Sequence, residues 1–103
     1  MSDPGAASGP DQAQALTRTI EIVNKKGLHA RASAKFVQVA EQYDAEITVT
    51  RGHETVGGTS IMGLMMLAAA PGTTVTLRVT GNDASEAMEA LCGLIAGRFG
   101  EEE

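Results

Sequence analysis

The fold is decided by residues 74–80, which read Thr74-Val75-Thr76-Leu77-Arg78-Val79-Thr80. Polar and aliphatic side chains alternate through the whole stretch, as in a β-strand with one face buried and the other in water. Shorter alternations at 19–23, 46–50 and 54–57 predict three more strands, the last two joined by a hairpin turn at 51–54. One face of these strands is aliphatic and the other is mostly Thr, Glu or Arg, which is typical of an antiparallel sheet covered on one side.

Helical spacing of apolar residues fills the gaps between these strands. It predicts helices at 30–43 and 60–69, the second ended by Pro71 and Gly72. A third helix opens with Asp83 and Glu86, the spacing of a capping box. Its apolar stripe is Ala84, Ala87, Met88, Leu91, Leu94 and Ile95. The order β-α-β-β-α-β-α predicts an α+β fold, a two-layer open-faced sandwich in which three helices cover one face of a four-stranded antiparallel sheet.

The length of 103 residues allows one domain. Residues 1–16 have almost no large apolar side chain and are expected to form a disordered tail, 17–100 the folded domain, and 101–103 an acidic C-terminal fray. No apolar run is long enough to span a membrane, and nothing resembles a secretion signal. The single cysteine, Cys92, cannot form an internal disulfide, which fits a cytoplasmic location, and we expect it to be a packing residue.

The net charge of -5 arises at the two ends, since 1–16 and 101–103 hold five acids and no bases. The remaining body is neutral and has three aromatic residues, which argues against nucleic acid or an anionic membrane as a partner. Bases are nevertheless concentrated around one histidine. Within eleven residues surrounding His29 lie Lys25, Lys26, Arg31 and Lys35.

His29 lies where a loop containing Gly27 becomes the first predicted helix. The first amides of a helix lack partners and lie at the positive end of its dipole, so this segment is suited to an anion, and Arg31 reinforces it. The same field disfavours a protonated imidazole, so we expect His29 to be neutral near pH 7 and nucleophilic. A surface histidine that only caps the helix fits this spacing equally well. His53, in the predicted hairpin turn, has no metal-ligand or catalytic spacing around it.

Two segments carry a resemblance to a known family. The first is Gly27-Leu28-His29-Ala30-Arg31-Ala32-Ser33, which resembles the active-site segment of the HPr family, the phosphocarriers of bacterial phosphotransferase systems. The second, Gly58-Thr59-Ser60-Ile61-Met62-Gly63-Leu64-Met65, is similar to that family's regulatory segment. Their separation and the predicted element order agree with the family as well, so the resemblance covers nearly all of the predicted domain.

The resemblance implies a phosphoryl relay. Enzyme I would pass a phosphoryl group from phosphoenolpyruvate to Nδ1 of His29, and an enzyme IIA would then take it. Arg31 would be the charge partner, and the backbone amides of Ala30 and Arg31 would hold the phosphate. The protein would be a stoichiometric carrier, expected to act as a monomer without metal or cofactor. The Ser-Ile-Met-Gly pattern at 60–63 leans toward the family's nitrogen-related branch.

Ala32 departs from the family pattern, which usually has proline there. Proline suits the first turn of a helix, so alanine costs some pre-organisation but restores one amide near the expected phosphate. We expect this change to tune the transfer rate or the lifetime of the phosphohistidine and to leave the carrier role intact.

Ser60 lies at the expected N-cap of the short second helix. It either only caps this helix or, as the resemblance implies, is also phosphorylated by an HPr-type serine kinase/phosphorylase. We expect Leu64, Leu67 and Ala68 to enter the core. Ile61, Met62 and Met65 would then stay partly exposed and dock partner proteins, although loose core packing is an alternative for the methionines.

Two other functions stand beside the phosphoryl relay. One is a regulatory interaction module gated by Ser60 phosphorylation, with His29 vestigial. A module that only binds partners needs neither His29 nor Arg31, so their presence after Gly27 and Leu28 argues against this function. The other is a small nucleic-acid-binding domain, which the neutral body and the scarcity of aromatic residues disfavour.

Overall fold

The computed structural model describes residues 15–101. Four strands form one antiparallel sheet: β1 (Leu16–Glu21), β2 (Glu46–Arg51), β3 (Glu54–Gly57) and β4 (Thr74–Thr80). Their spatial order is β1-β4-β2-β3, so the strand with the most regular alternation pairs with neighbours on both sides. The two-residue hairpin between β2 and β3 pairs Arg51 with Glu54, as the sequence predicts.

Three helices complete the layer that covers this sheet. They are α1 (Ala30–Ala40), α2 (Ile61–Met66) and α3 (Ala84–Ala96). The element order is the predicted β-α-β-β-α-β-α, and the α+β open-faced sandwich is confirmed. A short 3₁₀ turn at Arg98–Gly100, which the sequence did not suggest, follows α3.

The two faces of the sheet differ as the alternation predicts. Val75, Leu77 and Val79 of β4 are buried against the helices, where a fully buried aliphatic side chain contributes about 1.5–3 kcal/mol. The opposite face carries a row of threonines in register across all four strands: Thr19, Thr76, Thr50 and Thr55. Hydroxyl–hydroxyl hydrogen bonds join the outer pairs of this row, so the wet face is polar along its width.

The ends of some elements differ from the sequence prediction. β1 begins at Leu16, inside the expected tail, and α1 ends three residues early, at Ala40. α2 is also shorter, because Ala68 adopts a left-handed backbone with φ of +51°. That turn exposes Ala68 and buries Ala69 in its place, so the prediction of Ala68 in the core was wrong, whereas Leu64 and Leu67 are buried as expected.

The predicted capping box of α3 does not form. Asp83 makes no side-chain bond to its own helix. Its Oδ2 instead accepts a hydrogen bond of 2.8 Å from the backbone N–H of Asp44, in the loop between α1 and β2. The Asp83 carboxylate therefore makes a tertiary hydrogen bond in place of the local cap.

Within residues 15–101, no helix has both the length and the apolar content required to cross a bilayer.

Candidate functional site

The loop that leads into α1 is fixed against the segment after α2. Gly27 has φ of +67°, and a Cβ at this position would lie 2.3 Å from the carbonyl oxygen of Ala69. The next residue, Leu28, donates its N–H to that same oxygen at 3.0 Å. Only glycine meets both requirements, and the resulting close approach determines where His29 begins the helix.

His29 is the N-cap of α1, and its ring faces the first amides of the helix. Nδ1 accepts hydrogen bonds from the backbone N–H groups of Arg31 at 3.2 Å and Ala32 at 3.5 Å. An accepting nitrogen carries a lone pair, so these contacts assign the ring proton to Nε2. The sequence suggested the Ala30 and Arg31 amides for phosphate binding. The two amides that reach Nδ1 are those of Arg31 and Ala32.

The other ring nitrogen contacts the C-terminal segment. Nε2 of His29 lies 2.5 Å from Oε2 of Glu101. Oε1 of the same carboxylate accepts a 3.1 Å hydrogen bond from the buried amide of Asn24, which also donates to the carbonyl of Gly27 at 2.8 Å. Glu101 was expected to belong to a frayed end. This expectation was wrong for Glu101, while residues 102 and 103 lie outside the described residues.

The charge state of Glu101 follows from these neighbours. Partial burial disfavours the ionised carboxyl, but the hydrogen bonds from Asn24 and His29 and the electrostatic attraction of His29 and Lys35 outweigh it. Together they hold the pKa of Glu101 below its usual value. Glu101 is therefore a carboxylate at neutral pH, placed beside Nε2 and away from Nδ1.

The expected basic residues have different positions around the ring. The side chain of Arg31 is exposed in the first turn of α1. Lys35 donates a 2.7 Å hydrogen bond from Nζ to the carbonyl of Phe99 and so holds the C-terminal turn. Lys26 and His29 line an open cleft of about 230 Å³, whose other walls are Leu28, Ala68, Ala69, Ala70 and Pro71. The imidazole is about 25% exposed, so the ring is partly accessible to solvent.

The second predicted site lies at the start of α2. Ser60 is the N-cap, and its exposed hydroxyl accepts a hydrogen bond of 2.9 Å from the N–H of Gly63. The capping prediction is confirmed. The neighbouring apolar residues are exposed, as expected: Ile61 by 40%, Met62 by 70%, Met65 by 40% and Met66 by 67%. We call Ile61, Met62 and Met65 the α2 surface.

The remaining polar candidates fit a packing or surface role. Cys92 is a buried free thiol, 3.7 Å from the sulfur of Met88 one turn earlier. His53 is exposed in the hairpin turn. Across residues 15–101, histidine, cysteine, aspartate and glutamate form no group of three or more that could hold a metal ion.

Comparison with known proteins is consistent with this geometry. Residues 16–97 match the family model described as "PTS HPr component phosphorylation site". The chain belongs to the HPr family. An HPr of Neisseria meningitidis is 58% identical over 88 residues, covering 85% of this chain and 99% of that protein.

Solved structures give the same result. A crystal structure of an HPr from Thermoanaerobacter tengcongensis has a TM-score of 0.82 and 45% identity, covering 85% of this chain and 99% of its own. The crystal structure of an HPr dimer from the same organism has a TM-score of 0.68 and 46% identity, covering 80% and 94%. The HPr resemblance inferred from the two segments is thus confirmed.

Sequence reasoning missed two residues that the structure places around His29. Asn24 precedes the recognised segment and carries no motif of its own. Glu101 lies 72 residues after His29 and belongs to a run of three glutamates. Such a run predicts a solvent-exposed terminus. The sequence offered one indirect signal for Glu101: the aromatic residue Phe99 stands two residues earlier, outside the helical stripe, and the structure buries it.

Proposed function

We propose that the chain accepts a phosphoryl group on Nδ1 of His29 from phosphorylated enzyme I and passes it to an enzyme IIA. The observation that carries this proposal is the arrangement of the two ring nitrogens. Nδ1 holds the lone pair and faces the amides at the start of α1, whereas Nε2 holds the proton and faces Glu101. A nucleophilic nitrogen therefore points to a place that favours anions.

The transfer needs little from this protein beyond position and charge. The lone pair of Nδ1 forms the bond to phosphorus as the bond to the donor histidine of enzyme I breaks. The incoming group displaces the N–H groups of Arg31 and Ala32 from Nδ1. These amides are then free to donate to phosphoryl oxygens, and the exposed guanidinium of Arg31 supplies a positive charge nearby.

Ala32 supplies an amide that the proline usual in the family lacks. Its N–H lies 3.5 Å from Nδ1, the longer of the two contacts. It is therefore a weak donor to the unmodified ring and a potential donor to the phosphoryl group. We propose that it adjusts the rate of transfer or the lifetime of the phosphohistidine without abolishing either.

The α2 surface is the proposed docking site for partner proteins. It is exposed, apolar and rich in methionine, a residue that adapts to more than one partner. The segment that follows α2 contacts the loop that precedes His29, since the N–H of Leu28 donates to the carbonyl of Ala69. This contact holds α2 near His29. One surface beside the reactive ring would serve both donor and acceptor.

We propose that phosphorylation of Ser60 by an HPr-type serine kinase/phosphorylase weakens this docking. A phosphate adds nearly two negative charges, which the N-terminus of a helix tolerates. The same charges would stand at the border of an apolar interface and repel an acidic partner. Capping by Ser60 and regulation through Ser60 are compatible.

We further propose that the chain acts in the cytoplasm as a monomeric, stoichiometric carrier. Each molecule holds one phosphoryl group on one histidine and depends on its partner enzymes for turnover. The chemistry of Nδ1, the helix amides and Arg31 is complete without a metal or cofactor.

The direct test is intact-protein mass after incubation with phosphoenolpyruvate and enzyme I. We expect one acid-labile phosphoryl addition in the wild type and none in His29→Ala, with His53→Ala as the matched control that keeps the addition. Adding an enzyme IIA of the sugar type or of the nitrogen-related type should discharge the protein and identify the acceptor class.

Absence of the addition in the wild type, with an enzyme I that phosphorylates another HPr, would contradict the proposal. The regulatory module gated by Ser60 would then be the function to test next.

A further inference from the structure

We propose that Glu101 is a positioning residue for phosphoryl transfer: its carboxylate holds the Nε2–H edge of His29 and stabilises the positive charge that the ring acquires when Nδ1 bonds to phosphorus. This inference rests on the proposed function of His29. It assigns a role to a residue of the C-terminal segment, which contributes no recognised motif.

The C-terminal segment is built to reach the ring. After α3, Arg98, Phe99 and Gly100 have φ values of +60°, +55° and +76°, a left-handed turn that non-glycine residues rarely adopt. Burial of the Phe99 ring offsets this cost, and Lys35 bonds to the Phe99 carbonyl at 2.7 Å. The turn thereby directs Glu101 back to the start of α1.

Asn24 then fixes the carboxylate itself. Its side chain is fully buried and donates to both Oε1 of Glu101 and the carbonyl of Gly27. One amide group therefore links the loop before His29 with the carboxylate that contacts His29. With one oxygen held by Asn24, the other lies 2.5 Å from Nε2. Because the pKa of Glu101 is lowered in this environment, the group is charged when the ring reacts.

The chemistry gives this contact a specific effect. Before transfer the ring is neutral, with the proton on Nε2 and the lone pair on Nδ1. When the lone pair forms the N–P bond, the electron pair of the broken bond returns to the donor's ring nitrogen, and the His29 ring becomes a cation that keeps its Nε2 proton. A carboxylate at Nε2 stabilises that cation more than the neutral ring, so its interaction strengthens along the reaction.

The test compares Glu101→Gln with the charge-matched control Glu89→Gln. Glutamine keeps an acceptor oxygen for Nε2–H and removes the negative charge, while Glu89 is exposed on α3. The equilibrium constant for transfer from phosphorylated enzyme I is measured at neutral pH, beside the ring Nε2–H resonance of His29 in the unphosphorylated protein. Glu101→Asp is the rescue variant.

For Glu101→Gln we expect an equilibrium constant about fivefold to tenfold smaller and an upfield shift of the Nε2–H resonance. Glu89→Gln should match the wild type in both, and Glu101→Asp should recover part of the loss. Equal equilibrium constants in wild type and Glu101→Gln, with the wild type fully competent, would overturn the inference alone. A wild type that accepts no phosphoryl group would overturn the proposed function and, with it, this inference.

Discussion

His29 makes a different hydrogen bond at each ring nitrogen, and this asymmetry determines its chemistry. Amides of the α1 N-terminus donate to Nδ1, and Glu101 accepts from Nε2. A histidine that only caps a helix needs the first contact and not the second. The second contact therefore fixes the orientation of the ring beyond what capping requires.

The Glu101 contact also predicts a pH dependence of stability. A carboxyl whose pKa is lowered on folding stabilises the native state above the unfolded-state pKa, about 4.3 for glutamate, and loses that contribution as the pH falls through its lower folded value. Wild type should therefore unfold at higher urea concentration than Glu101→Gln at pH 6, and the difference should shrink as the pH falls below about 4.3 and be lost once the pH is below the lowered pKa of Glu101.

Urea titrations of both proteins across this pH range measure the effect. The groups facing the carboxylate are Asn24, His29 and Lys35. A difference that stays constant from pH 6 to pH 3 would show that Glu101 acts through packing and not through its charge.

The sequence predicted that amides at the start of α1 lie beside the His29 ring, and it missed the contacts from residues distant in sequence. His29 and Arg31 lie two residues apart, and the amides beside them follow from helix geometry. Asn24 and Glu101 reach the ring through tertiary structure. The left-handed turn at Arg98 and Phe99 that delivers Glu101 runs against the local preference of both residues, so no local pattern indicates it.

Among the elements, α2 combines a structural cap with a proposed docking surface. Its six residues leave too little length to bury every side, so Leu64 enters the core while Met62 and Met66 face solvent. Ser60 accepts the hydrogen bond of the Gly63 amide in the first turn of this helix. Capping and docking can therefore be separated by substitution at Ser60.

Ser60→Ala should cost about 1 kcal/mol of stability, which lowers the Tm by roughly 4–8 °C, because alanine cannot accept from the Gly63 amide. Ser60→Asp keeps a capping oxygen, so its Tm should stay close to that of the wild type. Its negative charge should slow phosphoryl uptake from enzyme I about threefold or more if docking occurs on the α2 surface.

Thermal unfolding and initial uptake rates measure the two effects separately. Ser85→Asp, at an exposed position near the start of α3, adds the same charge away from α2 and should transfer at the wild-type rate. Wild-type uptake by Ser60→Asp would place docking away from the start of α2.

Element boundaries were predictable where the sequence pattern and tertiary structure agree. The strand at Thr74–Thr80 has the predicted bounds, since both its faces have a defined environment. The end of α2 does not follow periodicity, because the backbone turns at Ala68 so that the Ala69 carbonyl can hold the His29 loop. The α3 cap was lost for a similar reason, when Asp83 bonded to Asp44.

In the whole molecule, the sheet packs against the helices that carry the candidate site. Its threonine face is turned to water, and its aliphatic face carries the helices that present His29, Ser60 and the α2 surface. The C-terminal turn closes the arrangement by bringing the last described residue, Glu101, back to the start of the first helix. Residues from both ends of the domain thus converge on one imidazole.

The central claim is that Nδ1 of His29 carries the phosphoryl group, and one NMR measurement tests it most directly. Uniformly ¹⁵N-labelled protein is phosphorylated with phosphoenolpyruvate and a trace of enzyme I, and the ³¹P–¹⁵N coupling is assigned to a ring nitrogen. We expect coupling to Nδ1 of His29, with both ring nitrogens of His53 uncoupled. Coupling to Nε2 of His29, or to either nitrogen of His53, would contradict it.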